Sequence, residues 1–171
     1  SSPFIYREAH YTDPDRNPAF AAKLKLNGHF YKLPETLGNH YQVLGWCHTF
    51  FQLLPPKEYF AAHPEWYSEI AGKRRDGTSQ LYPSQLCLTN PAMRAELVKK
   101  ALAWIAKNPQ AGFISISQND WDGRCACAQC KALEIAEGSP AGPLLQFVNA
   151  VAAEIEKKYP EVWVETLAYQ Y

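Results

Sequence analysis

Residues 113–130 read FISISQNDWDGRCACAQC, and the other elements of the chain can be placed by working outward from them. The first five residues, 113–117, combine an aromatic residue with small and β-branched ones and contain no Gly or Pro, which predicts a buried strand. The chain then turns polar over Gln118, Asn119 and Asp120. Ligands of parallel α/β folds bind at the carboxyl ends of strands, so the first hypothesis places Asp120 in an active site. The alternative is that Asn119 and Asp120 only begin a turn and cap the next helix.

Three cysteines close this stretch with the spacing C-x-C-x-x-C: Cys125, Cys127 and Cys130. They could bind a metal, form a disulfide or remain thiols, and the sequence leaves these three states open. A structural zinc site needs four ligands, so Cys47, His48 or a residue outside this chain would have to complete it. Cys47 and Cys87 stand alone and are interpreted as small buried hydrophobic residues. We expect the three clustered cysteines to stabilise the loop without taking part in chemistry. No cofactor is then required, and a structural zinc is the alternative.

Four further segments are interpreted as strands that alternate with helices: residues 3–11, 40–47, 84–88 and 162–168. The helices between them are predicted over residues 18–26, 57–62, 91–107, 131–136 and 144–155. The resulting order, about five strands with helical connections, predicts a parallel sheet with right-handed crossovers. Asn17 before Pro18 and Asn90 before Pro91 are predicted helix caps. The basic run at residues 72–77 is interpreted as a solvated loop.

Two architectures fit this order, an open doubly wound sheet and part of an eight-stranded barrel. No glycine-rich phosphate loop follows any predicted strand, which argues against a nucleotide-binding doubly wound sheet. The strand ends instead carry scattered polar and aromatic groups, as barrel enzymes do. We therefore predict an α/β fold, a partial (β/α)₈ TIM barrel with about five strands, formed as a single domain by residues 1–171. Asp120, His48 and Arg7 are expected to lie together at the carboxyl edge of its sheet.

The composition excludes several classes of function. Lys+Arg and Asp+Glu number 17 each, so the chain lacks the basic excess of a nucleic-acid binder. No apolar run approaches the roughly 20 residues of a membrane helix. The aromatic residues (5 Trp, 10 Tyr and 8 Phe) suit either a core or a cleft in which sugar rings stack. The chain begins Ser-Ser-Pro, without Met or a signal peptide, and is interpreted as a segment of a longer protein.

Six strings carry a resemblance to a known family: NGHFYKLPE, HTFFQLLPPKEYFAAHPEWYS, QLCLTNP, SISQNDWDGRCACAQC, EGSPAGPLLQFVNAVAAEIEKKYP and TLAYQY. Together they resemble DUF4838, a bacterial family of unknown function, over nearly the whole chain. The resemblance implies a glycoside-hydrolase-like (β/α)₈ barrel, and some members are classed as endo-β-N-acetylglucosaminidases. It also implies a glycan as the partner and a secreted or periplasmic location.

For individual residues, the resemblance places Asn119 and Asp120 at the end of barrel strand 4. Asn119 would hold a sugar hydroxyl or acetamido group. Asp120 would be the general acid or the carboxylate that orients the acetamido group, although many such barrels carry Glu at this position. The candidate sugar contacts are Arg7, His48, Trp121, Tyr169 and Tyr171. Glu165 is a weaker second acid, assigned to a hydrogen-bond network inside the barrel.

The leading hypothesis is therefore an enzyme, a glycoside hydrolase that cleaves O-glycosidic bonds of complex glycans, including those that contain N-acetylglucosamine. A second hypothesis is a carbohydrate-binding barrel without catalysis. A third is a metalloprotein centred on Cys125, Cys127 and Cys130.

Overall fold

The structure is a computed structural model that describes residues 4–79, 83–167 and 169. Its described helices are α1 (Thr12–Arg16), α2 (Pro18–Lys23), α3 (Phe50–Leu53), α4 (Pro56–Tyr59), α5 (Pro91–Ala106), α6 (Ala128–Glu137) and α7 (Gly142–Glu156). The described strands are β1 (Gln42–Leu44), β2 (Glu69–Ile70), β3 (Lys73–Arg74), β4 (Ala111–Ser115) and β5 (Trp163–Glu165). Short 3₁₀ turns span Glu35–Leu37 and Pro64–Trp66. Within the described ranges, no helix is both long and apolar enough to cross a membrane.

A parallel three-stranded sheet organises the fold, with β4 between β1 and β5. Val43 of β1 and Trp163 of β5 both pair with Phe113, and Ser115 pairs with Glu165. Since the three strands are parallel, their carboxyl ends meet at one edge. The short strands β2 and β3 form a separate antiparallel hairpin.

One face of the sheet is apolar and carries the core. Ile114 and Ile116 are fully buried there, in one cluster with apolar side chains of α5 and α7: Met93, Leu97, Ala101, Ile105, Leu144, Phe147, Val151 and Ile155. Burial of side chains of this size stabilises the fold by about 1.5–3 kcal/mol each. The two helices therefore hold β4 in place through Ile114 and, directly after the strand, Ile116.

The opposite face of β4 is polar toward its carboxyl end. The hydroxyl groups of Ser115 and Ser117 share a hydrogen bond of 2.9 Å. Thr49 donates to the Ser115 carbonyl oxygen at 2.7 Å and accepts from the Ser117 N–H at 3.0 Å. Parallel sheets are usually apolar on both faces, so this half of the sheet departs from an ordinary packed layer.

The predicted helix starts are confirmed. The Asn17 side chain accepts a hydrogen bond from the Phe20 N–H at 3.0 Å at the start of α2. Asn90 does the same for Met93 at 2.9 Å at the start of α5. The parallel sheet and the mixed α/β class are confirmed as well.

The prediction of five parallel strands is wrong for two segments. Residues 4–11 form no strand, and residues 84–88 contribute only an isolated antiparallel bridge between Tyr67 and Leu86. In the second segment, Gln85 donates its N–H to the Gly123 carbonyl, and Cys87 donates to that of Trp66. The apolar pattern there reflected burial between two loops rather than strand pairing. The described residues form no closed barrel.

The prediction of a solvated loop at residues 72–77 is wrong in part, because Lys73 and Arg74 form β3 and Arg75 is partly buried. Lys73 is exposed, as predicted. Arg74 is instead partly buried, donates to the Tyr67 carbonyl at 2.9 Å and pairs with Glu69 at 3.5 Å. The hairpin that turns Arg74 inward was not visible in the charge pattern.

Candidate functional site

The loop after β1 has an unusual backbone. Gly45, Trp46 and His48 have φ angles of +79°, +53° and +55°, in the left-handed region that non-glycine residues rarely adopt. Position 45 requires glycine, because a Cβ there would lie 2.4 Å from the Thr49 side chain. Left-handed non-glycine residues cost free energy and often occur at functional sites.

Hydrogen bonds to the end of β4 hold this loop. The backbone N–H groups of Thr49 and Phe50 donate to the Ser117 carbonyl oxygen at 3.1 and 3.0 Å. The imidazole Nδ1 of His48 donates to the Gln118 carbonyl oxygen at 2.8 Å. This contact fixes the tautomer and directs Nε2 of the ring toward Asp120.

Three side chains from the ends of the three parallel strands meet at this edge, and we call them the strand-end group: His48, Asp120 and Tyr169. The Tyr169 hydroxyl donates to Asp120 Oδ1 at 2.6 Å. Nε2 of His48 lies 3.8 Å from the same oxygen, and the His48 and Tyr169 rings are 5.6 Å apart. The Asp120 side chain remains 59% exposed, so a ligand can reach it. The expectation that His48 and Asp120 lie at one edge is confirmed.

Arg7 does not join this group among the contacts of the described residues. Its backbone N–H donates to the Asn27 side chain and its carbonyl accepts from the Asn27 N–H. The Asn27 carbonyl in turn accepts from Tyr41, immediately before β1. The Arg7 backbone is thus tied to the amino end of β1, and its expected place beside Asp120 is wrong. Tyr171 lies outside the described residues.

The two neighbours of Asp120 are fixed in the protein. Asn119 is only 2% exposed; its side chain accepts from the Phe51 N–H at 3.3 Å and donates to the Ser84 carbonyl at 3.4 Å. The Trp121 indole donates to the same carbonyl at 2.7 Å, and its ring is partly exposed. The amide of Asn119 is therefore engaged in the fold, whereas Trp121 keeps an accessible face.

A second carboxyl group lies near this edge. Glu165 ends β5 beside Ser115, and burial raises its pKa, opposed by a hydrogen bond with Ser115. Burial also raises the pKa of the Cys47 thiol, and the charges of Glu165 and Asp120 raise it further. Both acids therefore lie within electrostatic reach of Cys47. Gln118, fully buried at the end of β4, has no hydrogen-bond partner for either side-chain polar atom within the described residues.

Four buried cysteines form a second group, which we call the cysteine cluster: Cys87, Cys125, Cys127 and Cys130. Their Sγ atoms all lie within 4.8 Å of one another. Sγ of Cys87 is 3.8 Å from that of Cys127 and 3.9 Å from that of Cys130. Tetrahedral zinc with Zn–S bonds of about 2.3 Å has S–S edges of about 3.8 Å. The cluster therefore has the ligand type, number and spacing to hold a metal ion.

The fourth member of the cluster corrects the sequence analysis. Cys87 is not an isolated hydrophobic residue, and neither Cys47 nor His48 completes the set. Cys87 lies 40 residues before Cys127, and the buried segment 84–88 brings them together. No spacing motif joins Cys87 to the other three, so only the fold could reveal it.

Hydrogen-bond donors surround the cluster. The Glu69 N–H donates to Cys125 Sγ at 3.3 Å, and Arg74 Nη1 lies 3.6 Å from the same sulfur. The Thr89 hydroxyl lies 3.1 Å from Cys130 Sγ. Hydrogen bonds from the thiols of Cys125 and Cys130, assisted by Arg74, lower the pKa of Cys87 below its usual range, whereas hydrogen bonds to Cys130 and Cys87 and burial raise that of Cys125. Donors of this kind stabilise thiolates, the form in which cysteine binds metal.

A family model covers the whole chain, residues 1–171, and is described as a domain of unknown function, DUF4838. The chain belongs to the DUF4838 family. This membership confirms the resemblance of the six sequence strings, and DUF4838 as described carries no assigned activity. No curated protein and no solved structure matches the chain.

Proposed function

We propose that this chain forms part of a glycoside hydrolase that cleaves O-glycosidic bonds of glycans, including those with N-acetylglucosamine, and that Asp120 acts at the scissile bond. The observation that carries the proposal is the strand-end group, in which three adjacent parallel strands each contribute one side chain. The carboxyl edge of such strands is where α/β enzymes place their chemistry. The parallel sheet, with hydroxyl groups of Ser115 and Ser117 near its carboxyl edge, supports a partial (β/α)₈ barrel as the setting.

The proposed reaction needs carboxyl groups in two roles. The bond between the anomeric carbon and the leaving oxygen breaks, a carboxyl group donates its proton to that oxygen, and water completes the sugar product. Asp120 serves either as this acid or as the carboxylate that orients an acetamido group. Glu165 is the second carboxyl near this edge, and its raised pKa suits a proton donor. Tyr169 orients Asp120 through a hydrogen bond to its Oδ1 atom, and His48 Nε2 lies 3.8 Å from the same oxygen.

Exposed aromatic side chains support a sugar ligand. Trp46, Trp121 and Tyr169 follow the ends of the three strands, and each is more than a third exposed. Phe30 and His10 pack edge-on against Trp46, with ring centroids 5.0 and 5.8 Å away. Pyranose rings pack their C–H faces on such surfaces. In this proposal Asn119 positions the loop instead of touching the sugar.

The test is a substrate screen with the full-length protein, using aryl β-glycosides, including the N-acetylglucosaminide, and N-glycans. We expect turnover of at least one, and a loss of about 10²- to 10⁴-fold in kcat/KM for Asp120→Asn. No turnover of any glycan would overturn the proposal. Retained glycan affinity without turnover would instead establish the carbohydrate-binding alternative. The secreted or periplasmic location stays a prediction.

We also propose that the cysteine cluster holds a structural zinc ion. Four thiolates fill a tetrahedral zinc site and leave no position for substrate, which is the arrangement of structural sites. Elemental analysis of protein purified without chelators should find about one zinc per chain. The three-cysteine metalloprotein hypothesis thereby becomes a four-cysteine site that supports the fold. Protein that carries no metal and has five titratable thiols would overturn it.

A further inference from the structure

We propose that the zinc site positions Asp120 through segment 84–87, which we call the clamp. The clamp binds the loop that carries Asp120, and Gln85 is the positioning residue. The effect on activity rests on the proposed function, whereas the effect on loop order does not. The clamp joins the two sites of the molecule: its near end holds the neighbours of Asp120 and its far end contains a zinc ligand.

The near end of the clamp is the side chain of Gln85, which is buried. Its Oε1 accepts from the Asn119 N–H at 2.9 Å. Its Nε2 donates to the carbonyl oxygens of Asn119 at 3.1 Å and Trp121 at 2.6 Å. One amide thus binds the residue on each side of Asp120. The carboxylate between them is exposed to solvent.

The backbone of the same segment adds further contacts. The Ser84 carbonyl accepts from the Trp121 indole and from the Asn119 side chain, and the Gln85 N–H donates to the Gly123 carbonyl at 3.2 Å. Gly123 has φ +103°, and a Cβ there would lie 2.4 Å from the Pro83 carbonyl oxygen. Only glycine permits the two backbones to approach this closely. The two segments therefore run together from Asn119 to Gly123.

The far end of the clamp is Cys87, two residues after Gln85. Its sulfur meets those of Cys127 and Cys130, which follow the same loop. Hydrogen bonds to the Trp66 carbonyl (2.8 Å) and from the Ser68 N–H (2.9 Å) hold the other side of the segment. Contacts between thiols are weak, whereas zinc–thiolate bonds contribute strongly to folding. Zinc would thus lock both segments and, through Gln85, the direction of Asp120.

Hydrogen–deuterium exchange of the full-length protein tests the clamp without a substrate. The probe is a peptide spanning residues 118–124, which contains the Asn119 N–H bonded to Gln85, and the reference is a peptide from α5. Removal of zinc with a chelator should accelerate exchange in the probe about tenfold or more, with a smaller change in α5. If exchange in the α5 peptide accelerates to the same extent, removal of zinc does not separate the clamp from the rest of the fold. The variant Gln85→Leu, which keeps all four cysteines, then tests the clamp.

Gln85→Leu should keep one zinc per chain and still accelerate exchange in the 118–124 peptide. Gln85→Glu, which retains the acceptor for the Asn119 N–H, should restore part of the protection. The matched control is Gln52→Leu, an exposed residue on α3, which should change nothing. Unchanged exchange in Gln85→Leu, or in protein verified to have lost zinc, would overturn the clamp.

Kinetics on a substrate from the screen separate positioning from general support. Gln85→Leu should lower kcat by about 10- to 100-fold with a smaller change in KM, because a displaced acid reacts poorly while the sugar still binds. If Asp120→Asn changes the turnover of no glycan, the proposed function fails. The exchange data still test the clamp in that case. If Asp120→Asn is inactive but Gln85→Leu keeps full kcat, the clamp fails and the function stands.

Discussion

The strand-end group and the cysteine cluster lie on two sides of one loop, yet they are opposite kinds of site. Asp120 is open to solvent and contacts two polar side chains, whereas the four cysteines are buried and contact one another. An acid that is to meet a substrate must remain accessible, and a structural metal site must be closed. One loop therefore carries an accessible carboxylate and three of four buried thiols, and substitutions in the two groups are expected to have opposite effects on stability.

The largest effect is expected from Cys87→Ser. Loss of one of four ligands should abolish stoichiometric zinc and lower the free energy of unfolding by several kcal/mol, since metal-binding free energy is part of folding free energy. Cys47→Ser is the matched control, because Cys47 lies outside the cluster, and it should retain zinc. Elemental analysis and denaturant unfolding measure both. Equal zinc content in the two variants would remove the contrast between the sites.

Asp120→Asn should have the opposite effects: little change in stability or zinc content, and a large loss of activity. Its side chain is exposed, so the free energy of unfolding should change by no more than about 0.5 kcal/mol and zinc content should not change. Activity on glycans should still fall by about 10²-fold or more. Thermal unfolding and steady-state kinetics of the same preparation check the pair of outcomes. A large loss of stability would contradict this expectation and would mean that Asp120 supports the fold.

Tyr169→Phe sharpens the comparison within the strand-end group. The variant removes the hydroxyl that donates to Asp120 but keeps the ring beside His48. We expect a loss of about 0.5–1.5 kcal/mol in transition-state stabilisation, or about 2- to 10-fold in kcat/KM. Steady-state kinetics of the variant and the parent protein measure this loss. An unchanged kcat/KM would show that Tyr169 contributes only its ring.

Glu165→Gln should have the smallest effect on the free energy of unfolding, and this effect should change with pH. Burial raises the pKa of Glu165 in the folded protein, so the folded state holds this proton more tightly than the unfolded state does. Stability is therefore lost as pH rises through the interval from the unfolded pKa to the folded one. Gln should remove that loss, so the variant should be the more stable protein at pH 7 and about equal to the parent at pH 3. Denaturant midpoints at the two pH values test the sign, and an identical difference at both would contradict it.

The sequence anticipated those features that follow from local rules. Asn90 before Pro91 predicted the start of α5, and the run of aromatic, small and β-branched residues that begins at Phe113 predicted β4. Asp120 and His48 could be placed together because each follows a predicted parallel strand. The same rule misplaced Arg7. Residues 4–11 form no strand, so a residue near the end of this segment does not lie at the edge of the sheet for that reason.

Local patterns were enough to predict the helices α2, α5 and α7, the three strands of the parallel sheet and the acid that follows β4, because periodicity and capping act over a few residues. The contacts between distant segments depend on the tertiary structure. Cys87 and Gln85 lie in a stretch whose sequence resembles a strand. No neighbouring residue indicates that Cys87 is a metal ligand or that Gln85 binds Asn119 and Trp121. Their roles depend on long-range packing between two loops. A site of four sulfur atoms, or a buried side-chain amide that binds a distant backbone, requires a three-dimensional arrangement. The spacing of residues that are 40 positions apart in the sequence does not predict that arrangement.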